Sequence, residues 1–326
     1  MNGLKEQISE AVSQDLIEIE VALTKNLKPY LPVVSHVAKY IMFSGGKRIR
    51  PLLMVFSARL CGYNGDYDKT LSVVFEYLHA ATLLHDDLVD GADIRRGNPV
   101  AHSIWGNPAT VLVGDFLLAR SIAIAAETNS VPIVDVLART TAQMSEGEIH
   151  QLLHRGDLAI EETDYMEVIT RKTACLIQAA CQVGALLAES PGKQVQALAN
   201  YGYHLGVAFQ MVDDLLDYTA DTVVLGKVTG ADLREGKLTL PVIYALNRAT
   251  AEDRTRLETI IRDVDMAEAD FETVLGLIKK YGGIKYTRDR AQEHIEQAKN
   301  SIDIFDASKS KTFLKQLADY VLVREM

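Results

Sequence analysis

At 326 residues, with 48% hydrophobic and 24% charged side chains, the chain has an ordinary globular composition, which excludes an intrinsically disordered protein. A formal net charge of −10 argues against a general nucleic-acid binder, because phosphate-backbone affinity needs a basic surface. Any anionic ligand must then be held locally, by clustered Lys and Arg or by a metal.

Helical periodicity runs from end to end and strand-like alternation is nowhere sustained, so the expected fold is all-α, in one domain spanning 1–326. Met1 to Leu27 mixes charges through its apolar positions and lacks the continuous apolar core of a signal peptide, while Ile8, Val12, Leu16, Ile19 and Leu23 recur at helical steps. No stretch approaches the roughly 18 uninterrupted apolar residues of a spanning helix. Gly45-Gly46-Lys47-Arg48-Ile49-Arg50-Pro51 sets two glycines before three cations at a predicted helix start, where free backbone N–H groups also favour anions. It lacks the GxxxxGK[ST] spacing of a Walker loop. Leu71, Val74, Phe75, Leu78 and Thr82 mark a helix leading into Asp86-Asp87-Leu88-Val89-Asp90. Arg95-Arg96-Gly97 follows closely enough to bend back over the same ligand, and Arg pairs bidentately with phosphate.

Asp164 to Glu189 is almost free of helix breakers and rich in Ala, Leu and Ile after Thr173, which predicts a central, buried helix. Arg171-Lys172-Thr173 lies within it, where a cation and a hydroxyl are expensive without partners. The motif then returns as Asp213-Asp214-Leu215-Leu216-Asp217, again near the end of an apolar helix. Gly226-Lys227 through Gly236-Lys237 forms a loop placed to close over a site. The three cysteines, Cys61, Cys175 and Cys181, show no CxxC spacing and fit buried thiols of a reducing, cytoplasmic protein.

On a helix, residues four apart share a face, so Asp86 pairs with Asp90 and Asp213 with Asp217, while the intervening Asp sits about 100° round. Magnesium takes oxygen ligands, keeps several waters, and binds through one or two carboxylates plus substrate phosphates. The repeated motif therefore predicts two walls holding a metal-bound polyphosphate.

With these residues the chain resembles the trans-prenyltransferases, the isoprenyl diphosphate synthases, from about Gly45 to Leu240. The similarity lies in the GGKRIRP segment, in Leu84-His85 running into the first Asp motif with its Arg pair, in Lys172-Thr173, in Phe209-Gln210-Met211-Val212 before the second motif, and in Gly226-Lys227 with Arg234-Glu235-Gly236-Lys237. The resemblance implies a helical bundle of the isoprenoid synthase type with a central cavity. It implies that Lys47, Arg50, His79 and Arg96 bind isopentenyl diphosphate. Arg95, Lys172, Thr173, Gln210, Lys227 and Lys237 would hold the allylic diphosphate, Lys172, Thr173 and Gln210 acting directly in catalysis. Asp86, Asp90 and Asp213, with Asp87 and Asp217, would bind as many as three magnesium ions. The implied reaction is head-to-tail condensation, in which the allylic C1–O bond breaks, the isopentenyl double bond attacks, and the released diphosphate takes the proton. His79 fits a phosphate contact and His85 a structural role. A homodimer is expected, with at most transient membrane contact through the product.

Ala81 and Thr82 stand five and four residues before Asp86, about 6 to 7.5 Å deeper along the helix. Aromatic residues there stop growth early in the family; here both are small. Together with the Ala-Thr-Leu-Leu-His run and the absence of an insertion in the first motif, they resemble hexaprenyl to nonaprenyl synthases. An octaprenyl product for a quinone side chain is therefore expected, with Phe75 or Met144 as the rival floor of the pocket. The alternatives are a geranylgeranyl or farnesyl diphosphate synthase and a non-catalytic subunit, which would be expected to have eroded an Asp motif. A terpene cyclase needs only one diphosphate, and the second cation set argues against it.

Overall fold

A computed structural model describes residues 2–219, 229–263 and 266–323. The described residues are almost wholly helical, so the fold is all-α as expected. They divide into two compact units: Met1–Thr141 with Leu176–Ala199 and Ile302–Gln316, and Ala142–Cys175 with Asn200–Ser301 and Leu317–Met326.

The first unit holds α1 (Asn2–Leu27), α2 (Pro32–Phe43), α3 (Ile49–Leu60), α4 (Asp68–Val89), α5 (Ala101–Trp105) and α6 (Asn107–Ala126). The hydrophobic stripe read on α4 understates its burial, since every residue from Leu71 to Leu78 is buried. A helix enclosed on all sides must satisfy its polar side chains, and the Leu71–Leu78 stretch does. Ser72 bonds the Lys69 carbonyl at 2.9 Å, Tyr77 donates to the Leu23 carbonyl at 2.6 Å, and Glu76 accepts from Arg48 at 2.5 Å. Beyond α4 the chain makes a two-residue antiparallel ribbon, β1 (Ile94–Arg95) with β2 (Asn98–Pro99). Positive φ at both central residues, Arg96 at 51° and Gly97 at 76°, matches the twist such tight hairpins need.

By length and composition α6 is apolar enough to cross a membrane, although Asp115 and Arg120 interrupt its apolar run as the sequence indicates. Only 39% of its most apolar window is buried. Arg120 is turned inward and donates to the Asn26 carbonyl at 2.6 Å.

The continuous helix read over Asp164 to Glu189 is α8 (Glu162–Ile169), a π-helical turn (Thr170–Ala174) and α9 (Cys175–Leu187). In the second unit this turn is approached closely from two sides. A Cβ on Gly147, from α7 (Val131–Leu153), would lie 2.6 Å from the Lys172 backbone nitrogen. One on Gly206, from α10 (Gly192–Thr219), would lie 2.6 Å from the Ala174 Cα. Helices Ala231–Arg234, Leu240–Arg248, Ala251–Ile261, Glu268–Lys280 and Gly283–Ser301 also belong to this unit, with Tyr244 stacked on Tyr286 at 4.0 Å. Cys175 and Cys181 are buried and none of the three cysteines is in a disulfide; burial pushes the Cys181 thiol up to about 12.

Candidate active site

In the first unit the GGKRIRP segment and the hairpin both pack on α4, at Glu76 and at Asp87. Arg48 caps α3 in the left-handed region, φ 50°, with its side chain buried against Glu76 and over the Phe43 ring. It is an internal anchor, which leaves Lys47 exposed just before it and Arg50 partly exposed in the first turn of α3. Arg96 donates to the Gly45 carbonyl and so ties the hairpin to the glycine pair. His79 is partly buried, and desolvation together with the charges of Arg50, Arg96, Arg95 and Arg48 holds its pKa well below the ordinary histidine value. The imidazole therefore stays neutral beside four guanidinium groups, two of which, Arg48 and Arg95, are paired with Glu76 and Asp87.

The first Asp motif divides its labour. Asp87 is buried, takes Arg95 Nε at 2.7 Å and Nη2 at 2.6 Å on Oδ1, and has an Oδ2 with no hydrogen bond among the described residues. Asp86 and Asp90 are partly exposed, one turn apart, with the Asp90 N–H donating to the Asp86 carbonyl at 2.8 Å. Their hard oxygen donors fit magnesium, leaving coordination positions for water and phosphate. Ala81 is fully buried and Thr82 partly so, its hydroxyl bonded to the His79 carbonyl at 2.9 Å. His85 lies against α6, 3.2 Å from the Val111 carbonyl, in space that a Cβ on Gly114 would occupy; this is a packing role.

In the second unit the same division recurs. Asp214 is buried and accepts from Tyr165 Oη at 2.7 Å and Gln210 Nε2 at 2.8 Å, while Asp213 and Asp217 are partly exposed. Burial, then the neighbouring Asp232, pushes the Asp214 carboxyl up to about 8. Thr173 donates to Gln210 Oε1 at 2.8 Å, so Thr173, Gln210, Asp214 and Tyr165 form one hydrogen-bonded chain. Lys172 is held by Glu148 at 2.5 Å and Gln151 at 2.7 Å. Asp217 accepts the N–H groups of Ala231 and Asp232 at 3.1 Å each, pinning the segment that carries Lys237, itself paired with Glu235 at 2.7 Å. Lys227 lies outside the described residues.

Comparison with known proteins settles the family. The model for the family described as Polyprenyl synthetase matches residues 31–278. The chain belongs to the polyprenyl synthetase family. It is thereby a prenyltransferase-class enzyme, of the trans-prenyl diphosphate synthases. This polyprenyl synthetase is 37% identical to octaprenyl diphosphate synthase of Escherichia coli, over 98% of this chain and 99% of the other. Its fold is similar to a decaprenyl diphosphate synthase from Rhodobacter capsulatus, TM-score 0.93 at 38% identity, covering 98% and 99% of the two chains. It is also similar to a polyprenyl synthase from Caulobacter crescentus complexed with calcium and isoprenyl diphosphate, TM-score 0.92 at 38% identity and 98% of each chain. Matched relatives are named for products from geranylgeranyl to decaprenyl.

Sequence reasoning about this polyprenyl synthetase missed the residues that hold the others in place: Glu76, Glu148, Gln151 and Tyr165. Glu76 carried a signal, a lone acid inside an apolar run, which demands a buried partner. Glu148 and Gln151 share a helix face at a three-residue spacing but sit among other polar residues, so nothing marked them out. Tyr165 looks like ordinary core.

Proposed function

We propose that the chain condenses isopentenyl diphosphate head-to-tail onto an allylic diphosphate such as farnesyl diphosphate, with magnesium, to make a long-chain all-trans polyprenyl diphosphate, octaprenyl as best reading, for a quinone side chain. The observation that carries it is the matched construction of the two Asp motifs, each with a buried second Asp as anchor and partly exposed first and fifth carboxylates. Asp86, Asp90 and Asp213 would hold magnesium, which supplies neutralisation of the leaving diphosphate. We assign Asp87 to holding Arg95, and Asp217 to holding the Lys237 segment as well as to the metal face. Arg50, Arg96 and Lys47, around a His79 that stays neutral, bind the isopentenyl diphosphate. Lys172, Arg95, Lys227 and Lys237 bind the allylic diphosphate, and preorganised charge of this kind lowers the barrier to C1–O cleavage. Thr173 and Gln210, already locked to each other, present oxygens beside the carbon where positive charge grows.

The long-chain reading rests on the small Ala81 and Thr82 and agrees with relatives named for long products. The single domain over 1–326, the homodimer, the cytoplasmic location and the transient membrane contact through product belong to the same reading. The test is mass spectrometry of products made from labelled isopentenyl diphosphate and farnesyl diphosphate with magnesium, beside a chelator control. Hexaprenyl or longer products that vanish with chelator are expected; a stop at geranylgeranyl overturns the chain-length reading, and no elongation supports a non-catalytic subunit.

A further inference from the structure

Outside both Asp motifs, the second unit holds a mixed nitrogen and oxygen cluster that the proposed reaction does not use. His150 and His154 stand one turn apart at the end of α7, with their Nε2 atoms 3.1 Å apart and their rings edge-on at 4.9 Å. Asp164, in the first turn of α8, returns to the same spot, and one ligand atom from each of the three lies within 4.8 Å of the others. The three side chains are partly buried, open enough for an ion to enter and to keep water.

The histidine orientation is prepared. His154 Nδ1 lies 3.1 Å from Asp157 Oδ2, and the other Asp157 oxygen is fixed by the Ala159 N–H at 2.9 Å. A carboxylate on Nδ1 keeps the proton there and leaves the Nε2 lone pair facing His150 and Asp164, which is the outer-shell arrangement that metal-binding histidines use. Asp164 Oδ2 accepts the Glu161 N–H at 3.0 Å, which fixes the carboxylate while leaving it further lone pairs. Two imidazoles and a carboxylate suit zinc-class ions, whereas magnesium and calcium prefer all-oxygen sets. We propose that His150, His154 and Asp164 bind one zinc-class divalent ion, distinct from the magnesium of the Asp motifs. Such an ion ties the end of α7 to the start of α8 across residues 154–161. In that turn the Gly156 N–H donates to the Gly236 carbonyl at 2.8 Å, beside Lys237, so the ion also steadies the segment carrying that lysine.

The test uses the full chain, stripped with chelator and kept in excess magnesium so that the all-oxygen sites are occupied. Zinc is titrated by calorimetry and cobalt by its visible spectrum, with circular dichroism confirming that each variant is folded. One ion per chain is expected, with affinity at least about tenfold weaker in His150→Gln and His154→Gln, about tenfold weaker in Asp157→Asn, and a zinc-dependent rise in the melting temperature that His154→Gln abolishes. Unchanged zinc affinity in folded His154→Gln, or no saturable zinc or cobalt binding by the wild-type chain, overturns the proposal.

Discussion

The second Asp of each motif is as acidic in sequence as its neighbours, yet burial sets it apart. Asp87 turns inward to Arg95 and Asp214 to Tyr165 and Gln210, while the first and fifth positions remain partly exposed. Substitutions one residue apart should therefore fail differently. Asp86→Asn removes a hard ligand from an open face, so kcat should fall about a hundredfold or more and the magnesium requirement should rise, with stability nearly unchanged. Asp87→Asn weakens a buried ion pair and should cost about 1 to 3 kcal/mol of unfolding free energy, read by urea denaturation. Equal stability losses in the two variants would contradict this division. Product length is argued at the same scale. Ala81 is fully buried, so a phenylalanine there places an aromatic ring where the growing chain would pass. Ala81→Phe should shorten the main product to geranylgeranyl or farnesyl length by mass spectrometry; an unchanged distribution moves the floor to Phe75 or Met144.

Among the elements, the π-helical turn at Thr170–Ala174 brings Lys172 and Thr173 to their partners, and glycines on α7 and α10 make room for it. Gly206→Ala forces backbone apart at Ala174 and should cost about 1 to 3 kcal/mol, with a fall in kcat larger than in Asp87→Asn because Thr173 and Gln210 separate. The helices themselves and both Asp motifs were legible in the sequence because apolar spacing and paired carboxylates are local signals. The π turn was not, since the residues after it are apolar on most faces and hide the one-residue shift in register, and neither was the inward turn of Asp87 and Asp214, because spacing along a helix does not say which side the rest of the fold covers. The α10 pairing with helix Gly283–Ser301 is of the same kind. His204 and His294 approach at 3.0 Å between Nδ1 atoms, beside Tyr203 and Arg290, and burial holds His294 down to about 4 and His204 below its ordinary value. Below about pH 6.5 the unfolded chain takes up protons that the folded pair refuses, so stability is full above that pH and falls toward pH 4, by about 3 kcal/mol from His294. Urea unfolding of wild type against His294→Gln should show a gap that narrows across this window; a constant gap would exclude the pair as its cause.

At the scale of the whole molecule, α6 is among the described helices that carry exposed apolar residues. The first unit packs α6 against α4, yet Val111 and Leu112 stand 40% and 66% exposed on a helix of high mean hydropathy, with Ile104 at 48% on the preceding α5. Contiguous apolar surface is a liability on a monomer, and the proposed homodimer would cover it with a second copy of the same chain. Acidic side chains elsewhere on a chain of net charge −10 would resist this pairing, so the apolar face must supply the attraction. Light scattering on a gel-filtration column should give a dimer mass for the wild-type chain. Leu112→Glu places a charge in the middle of that face and should shift the mass toward monomer while circular dichroism stays helical. A wild-type monomer at micromolar concentration, or a Leu112→Glu dimer of undiminished affinity, would place the pairing surface elsewhere or remove it.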